Sequence, residues 1–462
     1  MMIVAFCKCG VFGLVGAAKD YGRGIKMASV KIDLNKRVKP MKPMHAGGQP
    51  PVGGKGLTEF FHYVTEAGIP FSRLHDVGGA FGGGKFVDIP NVFRNFDADE
   101  NDPASYDFAF TDYLLKALVE ANIEPYYRLG ITIENHTYVK SYYTFPPKNP
   151  EKWARICEHI IRHYTEGWAD GFHYNIRYWE IWNEPEVQDK MMWCGTNEEY
   201  FYLYDVTAKH LKACFPHLKI GGYASCGFYA VAPKIVIDPA THQPGTVPTK
   251  GHHKTQLQFF YEFFDYIKKH NSPIDFFSWH SYADVSRVAV MDEWLHGELE
   301  KFGYGGLETH LNEWDPCATE FGTAHHAAEV AAMMLALQHG HTDLCCIYDM
   351  RTNDAPYCPL FDIRTHKPIH AYYALVAFNM LYRLGTQVGT VCDDSRLYAV
   401  AASDGAHHAL MLSNLTGEKQ KLEIKGADLS RARYHVIDQE RLLSWSPAVD
   451  YMDNNQVLLI EW

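Results

Sequence analysis

The sequence predicts an α/β chain, a (β/α)8 TIM barrel followed by a smaller C-terminal β-sandwich domain. Three observations lead there. From about residue 41 to 350, short apolar or β-branched runs alternate with longer amphipathic stretches, the pattern of repeated βα units. Eight such runs occur, the number that closes a barrel with its chemistry at the C-terminal ends of the strands. After a helical stretch at 369–384 the texture changes to short alternating runs with turns between them, which reads as packed antiparallel sheet. An open doubly wound sheet is the rival for the first part.

In chain order, residues 1–28 form an N-terminal extension. "MMIVAFCKCGVFGLVGAA" has an apolar stretch without the basic leader of a secretory signal, and Met27 opens "MASVKIDL" as an independent start would. A start placed too early, an extension of the fold and a weak export signal all fit that composition. The strand-like segment 29–40 is expected to join the C-terminal sandwich, because chain ends flanking one domain often lie close together. The barrel is assigned to 41–384. Its strands fall near 42–48 and at 69–76, 123–130, 176–184, 218–225, 274–282, 307–314 and 343–350, with helices at 107–122, 149–168, 197–215 and 323–340 between them. The sandwich takes 385–462, with strands such as "LYAVAAS", "HALMLSN", "QKLEIKG", "RYHVID" and "QVLLIEW".

Composition narrows the partners. With 462 residues, 47% hydrophobic and 14% aromatic, the chain has ample material for a large core and for flat apolar faces that meet a ligand. Its net charge of −12 argues against nucleic acid, whose binding draws on Lys and Arg. A neutral ligand fits better. No run reaches the roughly 20 apolar residues that a membrane span needs. The 11 cysteines are odd in number and irregularly spaced, so reduced thiols in a cytoplasmic setting are expected, with secretion left open by the first residues. Self-association into a homo-oligomer is equally open.

The chemistry rests on carboxylates. "YWEIWNEPEV" (178–187) reads as a buried strand that ends in Asn183-Glu184-Pro185. Period-2 alternation puts Glu180, Trp182 and Glu184 on one face. Glu180 lies about 13 Å below the strand end at ~3.3 Å per residue and is expected to be structural, near the floor. Glu186, past Pro185, is expected on a solvated loop, which leaves Glu184 at the rim. "HLNEWDP" repeats the pattern, with Glu313 at a strand end ahead of Trp314. Two such acids facing across a barrel mouth suit cleavage of a glycosidic bond: one donates a proton to the leaving oxygen, the other stays ionised beside the cationic sugar carbon. For a single strand-end Glu a salt bridge is the commoner role, and a repeated Asn-Glu context weakens that alternative.

The segments "WEIWNEPE", "HLNEWDP", "FSRLHD" and "FSWHSY", supported by "PPKNPEKW" and "KPMHAGGQPP", resemble glycoside hydrolase family thirty-nine, within the clan of retaining (β/α)8 glycosidases. The resemblance covers the chain from residue 29 onwards. It implies a β-xylosidase-like enzyme with Glu184 as acid/base and Glu313 as nucleophile, needing no metal or organic cofactor. It further implies that Asn183 bonds the sugar 2-hydroxyl, that Arg73 and Tyr282 donate to the nucleophile, and that His75 and His280 contact sugar. Trp314, Trp279 and Tyr348 are expected to form an apolar platform under the ring, with ordinary core as the alternative. A retaining mechanism predicts carboxyl groups about 5–5.5 Å apart, against ~6.5–9.5 Å for an inverting one. The wording "HLNEWDP" departs from the commonest xylosidase form, which leaves arabinosidase, glucosidase and exopolysaccharide hydrolase activities open, together with a catalytically silent sugar-binding barrel.

Other motifs carry less. "GGAFGGGK" (78–85) spaces its residues like a phosphate loop, but Phe86 stands where the hydroxyl residue would hold magnesium, so a mobile rim loop is expected. His159 and His163 lie four apart without the Glu of a metalloprotease helix, and no zinc site is assigned to them. No Gly-x-Ser-x-Gly elbow occurs where a hydrolase would need one. An insertion rich in Pro and His at 229–255 is expected to reshape the pocket rim.

Overall fold

The computed structural model describes residues 26–75, 77, 87–132, 144–186, 192–237, 244–247, 250–352 and 357–462. The N-terminal extension up to residue 25 and the glycine-rich run 78–85 lie outside the described residues, as do 238–243 and 248–249 of the insertion.

The chain opens with strand β1 (Lys26–Pro40) and then enters the barrel. Its strands are β2 (Ala46–Gly48), β3 (Phe71–Leu74), β4 (Glu124–Leu129), β5 (Tyr178–Ile181) and β6 (Lys219–Ser225). After a small hairpin, β7 (Ile235–Ile237) and β8 (Pro244–Thr246), come β9 (Phe276–Ser281), β10 (Glu308–Trp314) and β11 (Leu344–Ile347). The eight barrel strands close in the order β10-β11-β2-β3-β4-β5-β6-β9, and every pairing between them is parallel.

Parallel strands need long crossovers, and helices supply them. These are α1 (Phe61–Glu66), α2 (Ile89–Val92), α3 (Ala109–Glu120), α4 (Pro150–Thr165), α5 (Asn197–Cys214), α6 (Gly251–His270), α7 (Val285–Phe302), α8 (Ala324–His339) and α9 (His370–Tyr382). Their starts are set locally. Asn149 Oδ1 accepts from Lys152 N ahead of Pro150, Thr196 and Glu199 form a reciprocal capping box, and Thr323 caps the His326 amide; each such cap is worth about 1 kcal/mol. Among the described residues no helix is long and apolar enough to cross a membrane.

Alternation along the barrel strands separates two faces. Trp179, Ile181, Ile220, Phe277, Trp279, Leu311 and Ile347 join the helices in the main core. The opposite face fills the lumen in layers. Ala46, Phe71, Tyr126, Tyr178, Phe276, Leu344 and Cys346 pack together as the floor, with the His310 ring stacked on Phe276. Above them comes a polar layer, fully buried, of Arg73, Arg128, Glu180, Ser278 and Asn312.

The C-terminal strands β12 (Thr386–Cys392), β13 (Leu397–Ser403), β14 (His408–Asn414), β15 (Gln420–Lys425), β16 (Arg433–Ile437), β17 (Leu442–Ser446), β18 (Tyr451–Met452) and β19 (Val457–Glu461) join β1 in one nine-stranded sheet. β1 runs antiparallel to β12 and parallel to β15. The sheet buries both faces. Val400, Ala402, Ala409, Met411 and Leu459 lie in the core shared with the barrel, whereas Ala399, Ala401, Leu410, Leu412 and Leu458 pack on Ala28, Val30 and Ile32 in a second core. Ser413 Oγ donates to the Ala328 carbonyl, fixing β14 on α8. The Lys42 ammonium donates to the carbonyls of Leu337 and Thr342 at the end of the same helix, where a cation complements the exposed dipole.

Candidate active site

The end of β5 departs from simple alternation. Trp182 (φ 73°) and Glu184 (φ 48°) both have left-handed backbone, which costs on the order of 1 kcal/mol for a residue with a side chain. Trp182 therefore does not share a face with Glu180 and Glu184, as alternation alone would have it: it turns outward against Trp153 and Trp193 and donates its indole N–H to the Met192 carbonyl. Asn183 faces the lumen instead, where its Oδ1 accepts from Arg73. The Glu184 amide donates to the Ala224 carbonyl, tying the strand end to β6.

A second irregularity sits opposite. Relative to β9 the register of β10 slips between Leu311, which faces Trp279, and Glu313, which faces His280. The extra residue is Asn312, and this bulge aims Asn312 and Glu313 into the lumen together, as bulges beside active sites do. Asn312 donates to Glu180 Oε1 at 2.5 Å, while Glu313 reaches the mouth.

Glu180 lies in the layer directly beneath the mouth rather than at the floor. Its carboxylate accepts from Arg73 Nε (2.8 Å), Ser278 Oγ (2.6 Å) and Asn312 Nδ2 (2.5 Å). It thereby holds the guanidinium whose other nitrogens donate to Glu313 Oε2 (3.2 Å) and Asn183 Oδ1 (2.5 Å). Burial works against the charge on Arg73, but Glu180 and Glu313 outweigh it and hold its pKa above the usual value. Tyr282 donates to the other Glu313 oxygen at 2.7 Å.

His280 stands between the two rim acids. Its Nδ1 is 2.7 Å from Glu184 Oε1 and 3.7 Å from Glu313 Oε2, and one oxygen of each acid lies within 4.8 Å of the other. Burial lowers the His280 pKa to about 4 despite the opposing pull of Glu313, so the ring is neutral. Burial also pushes the Glu313 pKa up, and Glu184 adds to that push; His280, Arg73 and the Tyr282 hydroxyl pull the other way without cancelling it. His75 is buried beside them. Arg128 Nε donates to its Nδ1, which places the ring proton on Nε2, and burial together with Arg128 and Arg73 keeps its pKa well below the ordinary value. Arg128 is itself held by Asp88 at 2.7 Å.

The structure thus brings Arg73, His75, Asn183, Glu184, His280, Tyr282 and Glu313 to one mouth, and Tyr348 with them. Tyr348 sits edge-on to Tyr282 and 5.4 Å from Tyr357, with the Arg351 guanidinium over its ring. Trp279 and Trp314 are not part of this wall. Both are fully buried in the main core, Trp279 against Phe228, because their positions on β9 and β10 face the helices. Glu186 is likewise not on a solvated loop: it is buried, and its Oε1 accepts from the Cys226 amide. Burial, reinforced by Glu184, raises its pKa to about 8. His159 and His163 serve the fold, His163 bridging Asp112 and the Trp168 carbonyl. Sequence reasoning missed Asn312, Arg128, Asp88 and Tyr357. Asn312 echoes Asn183 ahead of its own Glu, a signal that was available; Tyr357 lies in a loop with no period to read.

The sequence model for glycosyl hydrolases family 39 matches residues 75–302, a span that contains Glu184 and His280. Over that span, just under half of the chain, the barrel is similar to glycosyl hydrolases of family 39. A β-xylosidase from Geobacillus stearothermophilus is 27% identical to the chain over 229 residues, which is 47% of this chain and 39% of that relative; the match therefore spans well under half of the relative's length. Among solved structures, a glucosidase from Croceicoccus marinus has a TM-score of 0.75 at 19% identity, covering 94% of this chain and 98% of that one. A family 39 β-xylosidase from Caulobacter crescentus has a TM-score of 0.66 at 19% identity, covering 94% and 99%. These two likenesses show the fold alone, a barrel with a terminal sheet.

Proposed function

We propose that this protein is a retaining β-glycosidase of family 39, of the β-xylosidase type, acting on the ends of xylosides and xylo-oligosaccharides. The single observation that carries the reading is the pair of strand-end carboxylates, with an oxygen of each within 4.8 Å of the other. That closeness of one oxygen from each acid supports the ~5–5.5 Å carboxyl spacing of a double displacement.

In the first step a Glu313 oxygen bonds to the anomeric carbon as the glycosidic C–O bond breaks, and the proton on Glu184 passes to the departing oxygen. In the second, water attacks the same carbon, its proton passes to Glu184, and the bond to Glu313 breaks. Arg73 and Tyr282 orient and charge-balance Glu313. Asn183 has its Oδ1 engaged by Arg73, so its amide N–H groups are the ones offered to the sugar, and a bond there that tightens as charge develops is catalytic. The xylose preference comes from the named β-xylosidase relative.

The test is a panel of aryl β-xyloside, β-glucoside, β-galactoside and α-arabinoside substrates, with Glu313→Ala alongside. The xyloside should be turned over fastest with retention of configuration, and the variant should be inert. An inverted product would refute the mechanism, a faster glucoside or arabinoside would replace the substrate, and sugar binding without turnover would make the barrel a silent binding module.

A further inference from the structure

Outside the glycosidase site, the loop after β10 and the start of α8 bring together a thiol, an imidazole and a buried carboxylate. A ligating atom from each of Cys317, His325 and Glu329 lies within 4.8 Å of the other two. His325 Nδ1 is 2.7 Å from Glu320 Oε2, which leaves Nε2 as the ligating nitrogen, 3.8 Å from Glu329 Oε1. Tetrahedral zinc with bonds of ~2.0–2.3 Å spaces its ligand atoms about 3.3–3.8 Å apart, so the three groups need only a small contraction. A carboxylate on the far nitrogen of a ligating histidine is the usual means of fixing its tautomer and basicity. Glu329 is anchored in turn, its Oε2 accepting from the Val285 amide at the start of α7.

The charge balance favours a cation. The leading charges felt by the Cys317 thiol are Glu329, Glu320, Asp315 and Asp284, all acidic. A cavity of about 500 Å3 is lined by Glu320, Thr323 and His325 from this side and by Asp438, Gln439 and Glu440 from the terminal sheet, giving an ion a way in. The Arg441 guanidinium in that wall is taken by Asp438 at 2.5 Å. A second cluster, Glu158, His210 and Cys214, is similar in kind, but there Arg162 already pairs with Glu158 at 2.8 Å, and a metal would have to displace it.

We propose that Cys317, His325 and Glu329 bind one divalent transition-metal ion of the zinc type, with Glu320 positioning the histidine. Thiolate and imidazole donors select such an ion over magnesium or calcium. Its role is structural: it clips the β10–α8 loop, which follows the strand bearing Glu313, onto α8 and α7. The proposal does not depend on the enzymatic reading.

The test is titration of the reduced full chain with Co2+, followed by absorption. One Co2+ per chain should bind with a thiolate-to-cobalt charge-transfer band. Cys317→Ser should remove that band, Glu320→Gln should weaken binding about 10- to 100-fold, and Cys214→Ser should change nothing, with far-UV circular dichroism confirming that each variant is folded. Absence of stoichiometric binding, a band that survives Cys317→Ser, or one lost in Cys214→Ser would overturn the assignment.

Discussion

The floor and the mouth of the barrel hold acids in opposite states. At the floor, Glu308 meets Lys219 at 3.1 Å and the Tyr178 hydroxyl at 3.2 Å, with His310 at 3.6 Å; burial opposes its charge, but His310 and Lys219 outweigh it and bring its pKa down to about 2. At the mouth, burial and the neighbouring Glu184 raise the Glu313 pKa although Arg73 and Tyr282 bond to it, and the same two causes raise that of Glu186 to about 8. One scaffold thus lowers the pKa of an acid at the floor and raises those of two acids near the mouth. The lesson is that donors alone do not set acidity: the mouth supplies donors too, but its like charges and its dryness outweigh them.

Four substitutions probe that contrast. The largest effect is expected from Glu313→Gln, which should reduce kcat/KM on an aryl xyloside by on the order of 10^4-fold or more, while Glu308→Gln at the floor should leave it within about twofold; comparable losses from both would erase the distinction. Glu184→Gln should cost about 10^2- to 10^4-fold with poor leaving groups and much less with activated ones. With activated substrates the basic limb of its pH profile should also disappear, because the proton lost along that limb is the one Glu184 supplies; a basic limb that survives would show that another group supplies it.

The third expected effect is on stability. Folded Glu186 keeps its proton up to about pH 8, whereas the unfolded chain releases it near 4.5, so the wild type binds more protons folded than unfolded across that window and loses stability as pH rises through it. Glu186→Gln should remove that loss and gain up to a few kcal/mol at pH 8, read by denaturant unfolding at pH 5 and pH 8. A pH-independent difference would show that Glu186 is not held neutral. The smallest effect is the floor's. Glu308 is depressed on folding, so its contribution is present above about pH 4.5 and lost as pH falls towards about 2; its side chain is a third exposed, which limits the loss in Glu308→Gln at neutral pH to about 1 kcal/mol.

Much of the architecture was legible because period is a local property. The runs at 397–403 and 408–414 form strands over those same residues, and the alternation that marks them also decides which side chains meet the barrel and which meet β1. Where the reading failed, the cause was long-range or conformational. Period 2 cannot say which face of a barrel strand is the lumen, so Trp279 and Trp314 were placed at the mouth when their positions face the helices. It also assumes unbroken alternation, which the left-handed residues at 182 and 184 and the bulge at Asn312 interrupt. Glu186 was misplaced because Pro185 marks the end of a strand but not the direction the chain then takes. The roles of Arg128 and Asp88 are invisible in sequence, since their value lies in holding His75, which comes from a different strand.

The placement of β1 between β12 and β15 bears on how the molecule is made. Lys26 pairs with Gln420 and Val30 with Cys392, so during synthesis β1 must wait for the whole barrel to be made before either neighbour exists. Until then it is an unsatisfied edge, open to pairing with other chains. Truncations that remove β12 to β19 should therefore aggregate even though they leave every strand of the barrel intact.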